Sequence, residues 1–270
     1  MNKSSTYDPM VGSVLDDRYE ILAKLARGGM ATVYRARDRR LQWTVAVKIM
    51  RTDLGEDDEF AAKFDREARS AALINHPAVV SIFDQGISRG QPYIVMEFID
   101  GETLRRLIAR DAPLEPVLAL DYLEPIASAL AAAHDAGIVH RDIKPENVML
   151  TSRIPPVSIF ERPEIHAKVA DFGLARAVTS VSPTTGQAMG TVTYMAPEVI
   201  TTGVAEAPAD VYAVGIMLYE FLTGELPFQA ETPIATAYMH INEPMPHVAE
   251  QADWIPASLD SFIALMTAKD

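Results

Sequence analysis

The chain of 270 residues carries 37 Asp and Glu against 24 Lys and Arg, a formal charge of −13, and 49% of it is apolar. That balance disfavours a general nucleic-acid or anionic-membrane binder, since both depend on clustered Lys and Arg to neutralise phosphate, and the apolar content excludes a disordered chain. With no cysteine there is no disulfide, thiolate metal site or thiol nucleophile, and a reducing cytoplasm is the natural compartment.

Residues 1–14 contain neither an apolar core nor a run of positive charge, which excludes a secretory signal; this segment is expected to be disordered. Beyond it the pattern is strand-like, with Tyr19, Ile21, Ala23 and Leu25 alternating, then Val45, Val47 and Ile49. One helix interrupts these strands, and in it Phe60, Phe64, Glu67 and Ala71 share a face by the 3.6-residue period. Glu67 thus puts a carboxylate inside an apolar stripe, where it needs a partner. The pattern predicts a small sheet carrying one helix, ending near Asp100 and Gly101.

From Thr103 onward the chain reads as long helices. An Ala-rich stretch covers residues 118–134, and Pro125 is expected to kink it or delay its start. Residues 211–222 are apolar on every side except at Glu220, with Asp210 as N-cap and Gly224 as stop, and predict a buried central helix. This is the longest apolar stretch, and it falls short of the roughly 20 residues of a membrane span, so no span is expected.

The chemistry-bearing motifs come in order. VAVK at residues 45–48 precedes HRDIKPENVML at 140–150, DFG at 171–173 and APE at 196–198. A single triplet arises by chance in many chains, whereas these four in this order resemble the eukaryotic-like protein kinases, from about Leu15 to the last residue. The resemblance implies an α+β, bilobal protein-kinase fold: a β-sheet lobe with one helix over residues 15–99 and a larger, mainly helical lobe over 100–270.

Moving the γ-phosphoryl group of ATP demands neutralised phosphate charge, liganded Mg²⁺ and an oriented hydroxyl, with catalysis coming mostly from positioning and electrostatics. Lys48 shares a strand face with Ala46, toward the cleft, where its ammonium can hold the α- and β-phosphates and pair with Glu67. By resemblance Asp142 is the catalytic base or hydroxyl orienter, Lys144 stabilises the transferring phosphate, and Asn147 and Asp171 ligate Mg²⁺ or Mn²⁺. One carboxylate and one amide suit a hard cation held mostly by substrate rather than zinc. Lys144 with Gly190-Thr191 resembles the serine/threonine branch, and Thr191 is expected to bond Asp142 and Lys144.

The phosphate-covering loop departs from the family's G-x-G-x-x-G, because Ala26 and Ala31 replace the first and third glycines while Gly28 remains. Alanine reaches positive φ with difficulty, so a stiffer loop and weaker nucleotide binding are expected. The resemblance puts Leu25, Val33, Ala46, Met96 and Met149 around the adenine, Met96 as gatekeeper, with backbone hydrogen bonds from Glu97 to Ile99 at the lobe junction.

Arg141 precedes the catalytic Asp142, as in kinases switched on by phosphorylation of the activation segment. Thr184 and Thr185 stand where bacterial relatives autophosphorylate, Thr185 being the better aligned, and Arg141 with Arg176 is the expected phosphate-receiving pair. LDDRYEIL, PYIVMEFIDGETL, DVYAVG and TGELPF resemble actinobacterial receptor-type kinases with extracellular PASTA repeats. In that family residues at the positions of Arg18 and Asp84 meet across a back-to-back dimer, which implies a weak homodimer through the sheet lobe. Protein substrates are implied as partners, nucleic acid is not, and the expected location is a cytoplasmic domain of a single-pass membrane protein whose span lies outside this chain.

Two features depart from those relatives: the inserted TSRIPPVSIFERPEIH at residues 151–166, and an end at Asp270, before the family's last helix and the arginine that pairs with the APE glutamate, here Glu198. Thr103 stands where some kinases selective for basic substrates carry an acidic residue, and the net charge of the domain decides nothing about the substrate's charge. The competing readings are an ATP-binding pseudokinase scaffold, favoured by the altered loop and the end at Asp270, and a small-molecule phosphotransferase, disfavoured by the peptide-docking segment 190–198.

Overall fold

The computed structural model describes residues 8–29, 31–51, 58–151, 166–172, 192–250 and 254–269. The chain divides into two compact units, the first made of Met1–Leu73 and Ser81–Ile99, the second of Ile74–Val80 and Asp100–Asp270. The division falls where the strand pattern ends, except that residues 74–80 join the second unit. The backbone gives the reason: Val79 bridges Val169 in parallel, with Val169 N–H donating to Ala78 O at 2.8 Å and Val80 N–H to Val169 O at 2.9 Å.

The first unit is an antiparallel sheet of β1 (Val14–Leu15), β2 (Tyr19–Arg27), β3 (Ala31–Asp38), β4 (Trp43–Met50), β5 (Ile82–Ser88) and β6 (Gln91–Glu97), in the order β1-β2-β3-β4-β6-β5. Tyr19, Ile21, Ala36, Val45, Val47 and Val95 build its core. The alternation of β2 does not carry through. Register shifts between Ile21 and Ala23 and between Lys24 and Ala26 leave Leu25 47% exposed, because a bulge re-aims the residues after it. Helix α1 (Asp58–Ala71) buries Phe64, Ala68 and Ala71 along one stripe, with Glu67 half-buried in it.

The amino-terminal segment departs from expectation. Residues 8–13 lie along β2, with Gly12 N–H donating to Ile21 O (2.8 Å) and Ile21 N–H to Ser13 O (2.9 Å). Asp8 pairs with Lys24 at 3.0 Å. Disorder over the whole of residues 1–14 is therefore corrected: Gly12 and Ser13 satisfy backbone groups at the sheet edge, and Asp8 supplies a charge partner.

Arg18 departs too. Its guanidinium bridges two aspartates of its own chain, Asp38 at 2.7 Å and Asp84 at 2.9 Å, and Tyr19 Oη donates to Asp84 at 2.5 Å. Asp38 is 1% exposed and also accepts the N–H groups of Arg40 (2.8 Å) and Leu41 (3.1 Å). The residues the resemblance sets across a dimer are thus paired within one chain, where Arg18 answers the buried charge of Asp38.

The second unit holds a three-stranded sheet of β7 (Gly101–Thr103), β8 (Val148–Thr151) and β9 (Ala167–Val169), with helices α2 (Leu104–Asp111), α3 (Pro116–Asp135), α4 (Pro197–Thr202), α5 (Ala207–Thr223), α6 (Pro233–Asn242) and α7 (Ala257–Met266). α5 is the buried axis the apolar pattern predicts, and Gly224 ends it at φ 76°. Its start is earlier than expected: Glu206 occupies the N-cap, so Asp210 sits inside the first turn. α7 crosses α5 closely at Gly215, where a Cβ would lie 2.6 Å from the Thr267 side chain. α3 runs unbroken through Pro125 and packs against α5. By length and composition alone α3 could cross a membrane, a reading the sequence pattern did not single out; its buried side, including Ile126, Ala129 and Ala133, packs within the unit.

Burial raises the Asp38 carboxyl, but Arg18 and the two backbone donors outweigh it and hold its pKa below the usual 3.8. A group lowered on folding contributes stability above its unfolded pKa and loses it as pH falls through the folded one. The first unit of wild type should therefore lose thermal stability between about pH 5 and pH 2.5, and Asp38→Asn, less stable at neutral pH, should show a flatter profile over that range in melts followed by circular dichroism.

Candidate active site

The site of the second unit is built on Asp210. Its carboxylate is 1% exposed in the first turn of α5, and both oxygens are used. Oδ2 accepts the backbone N–H of His140 at 2.8 Å and Oδ1 that of Arg141 at 2.8 Å, while Nε2 of His134 on α3 lies 2.8 Å from Oδ2. A buried carboxylate is costly unless its lone pairs are met, and here it is met by two consecutive N–H groups of the loop that carries HRD. The peptide held there turns through positive φ at Arg141, 70°, sparsely populated for a residue with a Cβ.

Beyond that turn Asp142, Lys144 and Asn147 converge. Lys144 Nζ donates to both carboxylate oxygens of Asp142, at 2.8 and 2.7 Å. Asn147 Nδ2 donates to Asp142 O at 2.7 Å and to its Oδ2 at 3.1 Å, so the side-chain oxygen of Asn147 remains the acceptor end of the amide. Pro145–Asn147 forms a single 3-10 turn leading into β8, and Asn147 O accepts Ala170 N–H at 2.8 Å. His140 is fully buried and ties the two loops together: Asp142 N–H donates to Nδ1 at 3.2 Å, and Nε2 lies 2.9 Å from Ala170 O. The ring of Phe172 packs edge-on against it at 4.6 Å. Asp171 lies between these anchors at φ 67°, the second strained position of the site.

These residues fit a divalent cation of the hard class. Asn147 offers an amide oxygen and Asp171 a carboxylate, while among the described residues no cluster of three or more His, Asp or Glu could hold a metal by itself. Such a pair suits Mg²⁺, which keeps waters and phosphate oxygens as its other ligands.

In the first unit, Lys48 lies mid-strand in β4, opposite Val33 on β3 and Ile94 on β6. Ala46 stands opposite Met96, which is half-buried beside buried Val95. Glu97 pairs with Val45 at the end of β6, and its N–H donates to Ser81 O at 2.9 Å. Ala26 pairs with Val33 inside the ladder without positive φ, and Ala31 begins β3. Gly28 N–H closes the tip onto Ala31 O at 2.9 Å, and Arg51 donates to Gly29 O at 3.0 Å. Of the other expected residues, Met149 lies on β8 opposite Lys168, Ile99 is buried, and Glu198 is exposed in the first turn of α4. Arg176, Thr184, Thr185 and Thr191 lie outside the described residues.

Sequence reasoning missed what Asp210 and His134 do. A carboxylate at the head of an otherwise apolar helix was visible, but it reads equally as an N-cap; only the fold brings residues 134, 140 and 141 to it.

The loop, its anchor and the Asn147–Asp171 pair place the chain in the protein kinase class. A family model described as "Protein kinase domain" matches residues 19–270, and the chain belongs to the protein kinase family. It is 40% identical to the serine/threonine-protein kinase PknL of Mycobacterium tuberculosis, over 100% of this chain and 65% of that protein. It is also 40% identical to the serine/threonine-protein kinase PrkC of Bacillus subtilis, over 97% of this chain and 39% of that protein. The fold matches the crystal structure of the Mycobacterium tuberculosis PknI kinase domain with a TM-score of 0.72 at 26% identity, covering 96% of this chain and 90% of that one. The chain spans less than two thirds of the length of these curated relatives.

Replacing Asp210 by Ala strands two N–H groups in the interior, each worth about 1–3 kcal/mol unmet. Asp210→Ala should lose roughly 3 kcal/mol in denaturant unfolding and at least about tenfold in kinase rate at a temperature where it is still folded, because the Arg141 turn loses its anchor.

Proposed function

We propose that this domain is an ATP-dependent serine/threonine kinase that phosphorylates proteins and activates itself by phosphorylation of its activation segment. The observation that carries the reading is the Asp142 carboxylate, held by Lys144 and Asn147 on a loop hung from Asp210.

In this reading Asp142 accepts the hydrogen bond of the substrate hydroxyl and takes its proton as the hydroxyl oxygen bonds to the γ-phosphorus and the bond to the β-phosphate oxygen breaks. Lys144, which already reaches Asp142, neutralises charge on the group in transit. Asn147 and Asp171 would hold Mg²⁺, which would supply positive charge against the phosphates. Lys48 steadies the α- and β-phosphates, with Glu67 as its partner, and Thr191 ties Asp142 to Lys144. In the same reading Leu25, Val33, Ala46, Met96 and Met149 enclose the adenine, and the regular ladder position of Ala26 favours a working kinase over a pseudokinase. Thr184 and Thr185 are the proposed phosphosites, received by Arg141 and Arg176. The partial coverage of its relatives supports a longer protein, the lack of cysteine a cytoplasmic domain, and the resemblance to receptor-type kinases a membrane anchor outside this chain.

A weak homodimer through the first unit is also proposed. Its support is an exposed apolar group beside the Arg18–Asp84 pair: Leu41, and Trp43 stacked on Phe83 at 5.0 Å. Because Arg18 also holds Asp38, Leu41→Glu is the cleaner probe. Sedimentation should show mass rising with concentration for wild type and not for Leu41→Glu, and a wild type that stays monomeric throughout sinks the dimer.

Purified domain incubated with ATP and Mg²⁺ or Mn²⁺ should gain phosphate on Thr184 or Thr185 by intact and peptide mass, and Asp142→Asn should gain none. The Thr184→Ala/Thr185→Ala protein should phosphorylate peptides at least about tenfold more slowly, since its loop lacks the charge that Arg141 and Arg176 would bind. A folded, ATP-binding wild type that transfers no phosphate overturns the kinase reading.

A further inference from the structure

Residues 8–13 fold into two overlapping turns. Val11 N–H donates to Asp8 O at 3.0 Å, and Ser13 gives both its N–H and its hydroxyl to Met10 O, at 3.0 and 2.6 Å. Met10 packs against the core of the first unit, and Gly12 turns the chain onto β2 at φ 86°. The segment is thus fastened at one end by the sheet-edge bonds of Gly12 and Ser13, and at the other by Asp8.

The Asp8 carboxylate reaches both strands of one hairpin. Its Oδ2 lies 3.0 Å from Nζ of Lys24 on β2, and the Tyr34 hydroxyl of β3 donates to its two oxygens at 3.3 and 3.4 Å. Oδ1 also accepts Met10 N–H at 3.1 Å. Burial by itself would raise the Asp8 carboxyl, but Lys24 and the Met10 N–H outweigh it and hold its pKa below the usual 3.8, so the contact stays charged at neutral pH.

Lys24 and Tyr34 stand directly opposite each other, the pair just before the register shift that ends at Ala26. Beyond that shift come only the pairs Ala26–Val33 and Arg27–Thr32 and the tip, where Gly28 N–H closes onto Ala31 O. The two strands are not equally supported there. β3 is held by β4 along its whole length, from Ala31–Met50 to Asp38–Trp43, whereas β2 meets β1 only at Tyr19 and Glu20. The outgoing end of β2 therefore relies on β3 alone, across a bulge that frees it to twist, unless something ties the two strands together.

We propose that Asp8 is a positioning residue for the nucleotide: by tying Lys24 to Tyr34 it fixes the outgoing end of β2, and with it the phosphate-covering loop that carries Gly28 and Gly29. This rests on the kinase reading, in which residues 26–31 lie over the phosphates of ATP, and adds a residue from ahead of the stretch 19–270 that the kinase family model covers. A hairpin ordered beforehand loses less freedom when it closes on a ligand, so the effect belongs in affinity for the phosphates and not in affinity for the base.

Calorimetric titration with the β,γ-imido analogue of ATP in Mg²⁺, and separately with adenosine, tells loop from slot. Asp8→Ala should bind the analogue about fivefold more weakly than wild type and adenosine equally well. Without nucleotide, its Gly28 amide should exchange with deuterium at least about threefold faster, since the bond to Ala31 O opens more often. Lys24→Ala should show the same selective loss, and the Asp8→Ala/Lys24→Ala protein should be no weaker than the single variants, because both act through one contact. Should Asp8→Ala fold poorly, Lys24→Ala at its more exposed position decides by the same comparison. A folded Asp8→Ala with wild-type affinity for the analogue, a loss shared equally by adenosine, or losses that add in the double variant overturn the proposal. A wild type that binds neither ligand overturns the kinase reading instead.

Discussion

A single buried carboxylate carries the geometry of the catalytic loop. Asp210 has no solvent to turn to, and its oxygens are met by the peptide N–H groups of His140 and Arg141 and by His134. Because two of those donors are consecutive backbone groups, the loop is fixed through its main chain and its side chains stay available for chemistry. The strain at Arg141 is tolerated on the same account, since the helix that presents Asp210 is buried along most of its length. His140 then extends the constraint to the segment after β9 that carries Ala170 and Asp171, so both candidate cation ligands descend from one anchor.

The same principle runs through the rest of the described residues: acidic groups taken out of water are answered from within the chain. Asp38 is met by Arg18 and two turn N–H groups, and Glu220 by Arg105 and Tyr194. A net charge of −13 therefore does not imply acidic sites open to cations. Burial and the Glu220 charge also push the Tyr194 hydroxyl well above its ordinary pKa, despite the opposing guanidinium, so it remains a donor throughout the physiological range.

Much of the site was readable from residue order. Asp142, Lys144 and Asn147 are close in sequence, and a loop of six residues brings them together with little help from the fold. The strands of the first unit were readable as far as the alternation stayed regular. It failed at β2, where bulges shift the face, and at residues 8–13, whose order comes from sheet-edge hydrogen bonds that leave no periodic trace. Pro125 misled for a related reason: tertiary burial of α3 outweighs the local penalty of one missing donor.

Residue types and their spacing settled the family and pointed to the proposed reaction class and its candidate catalytic groups, because those depend on chemistry that short motifs spell out. What Asp210 holds, where Arg18 points and which cation meets Glu220 were settled by folding. Each of those contacts joins residues far apart in sequence, 69 positions between Arg141 and Asp210 and 115 between Arg105 and Glu220, and no local pattern records which buried charge will meet which partner.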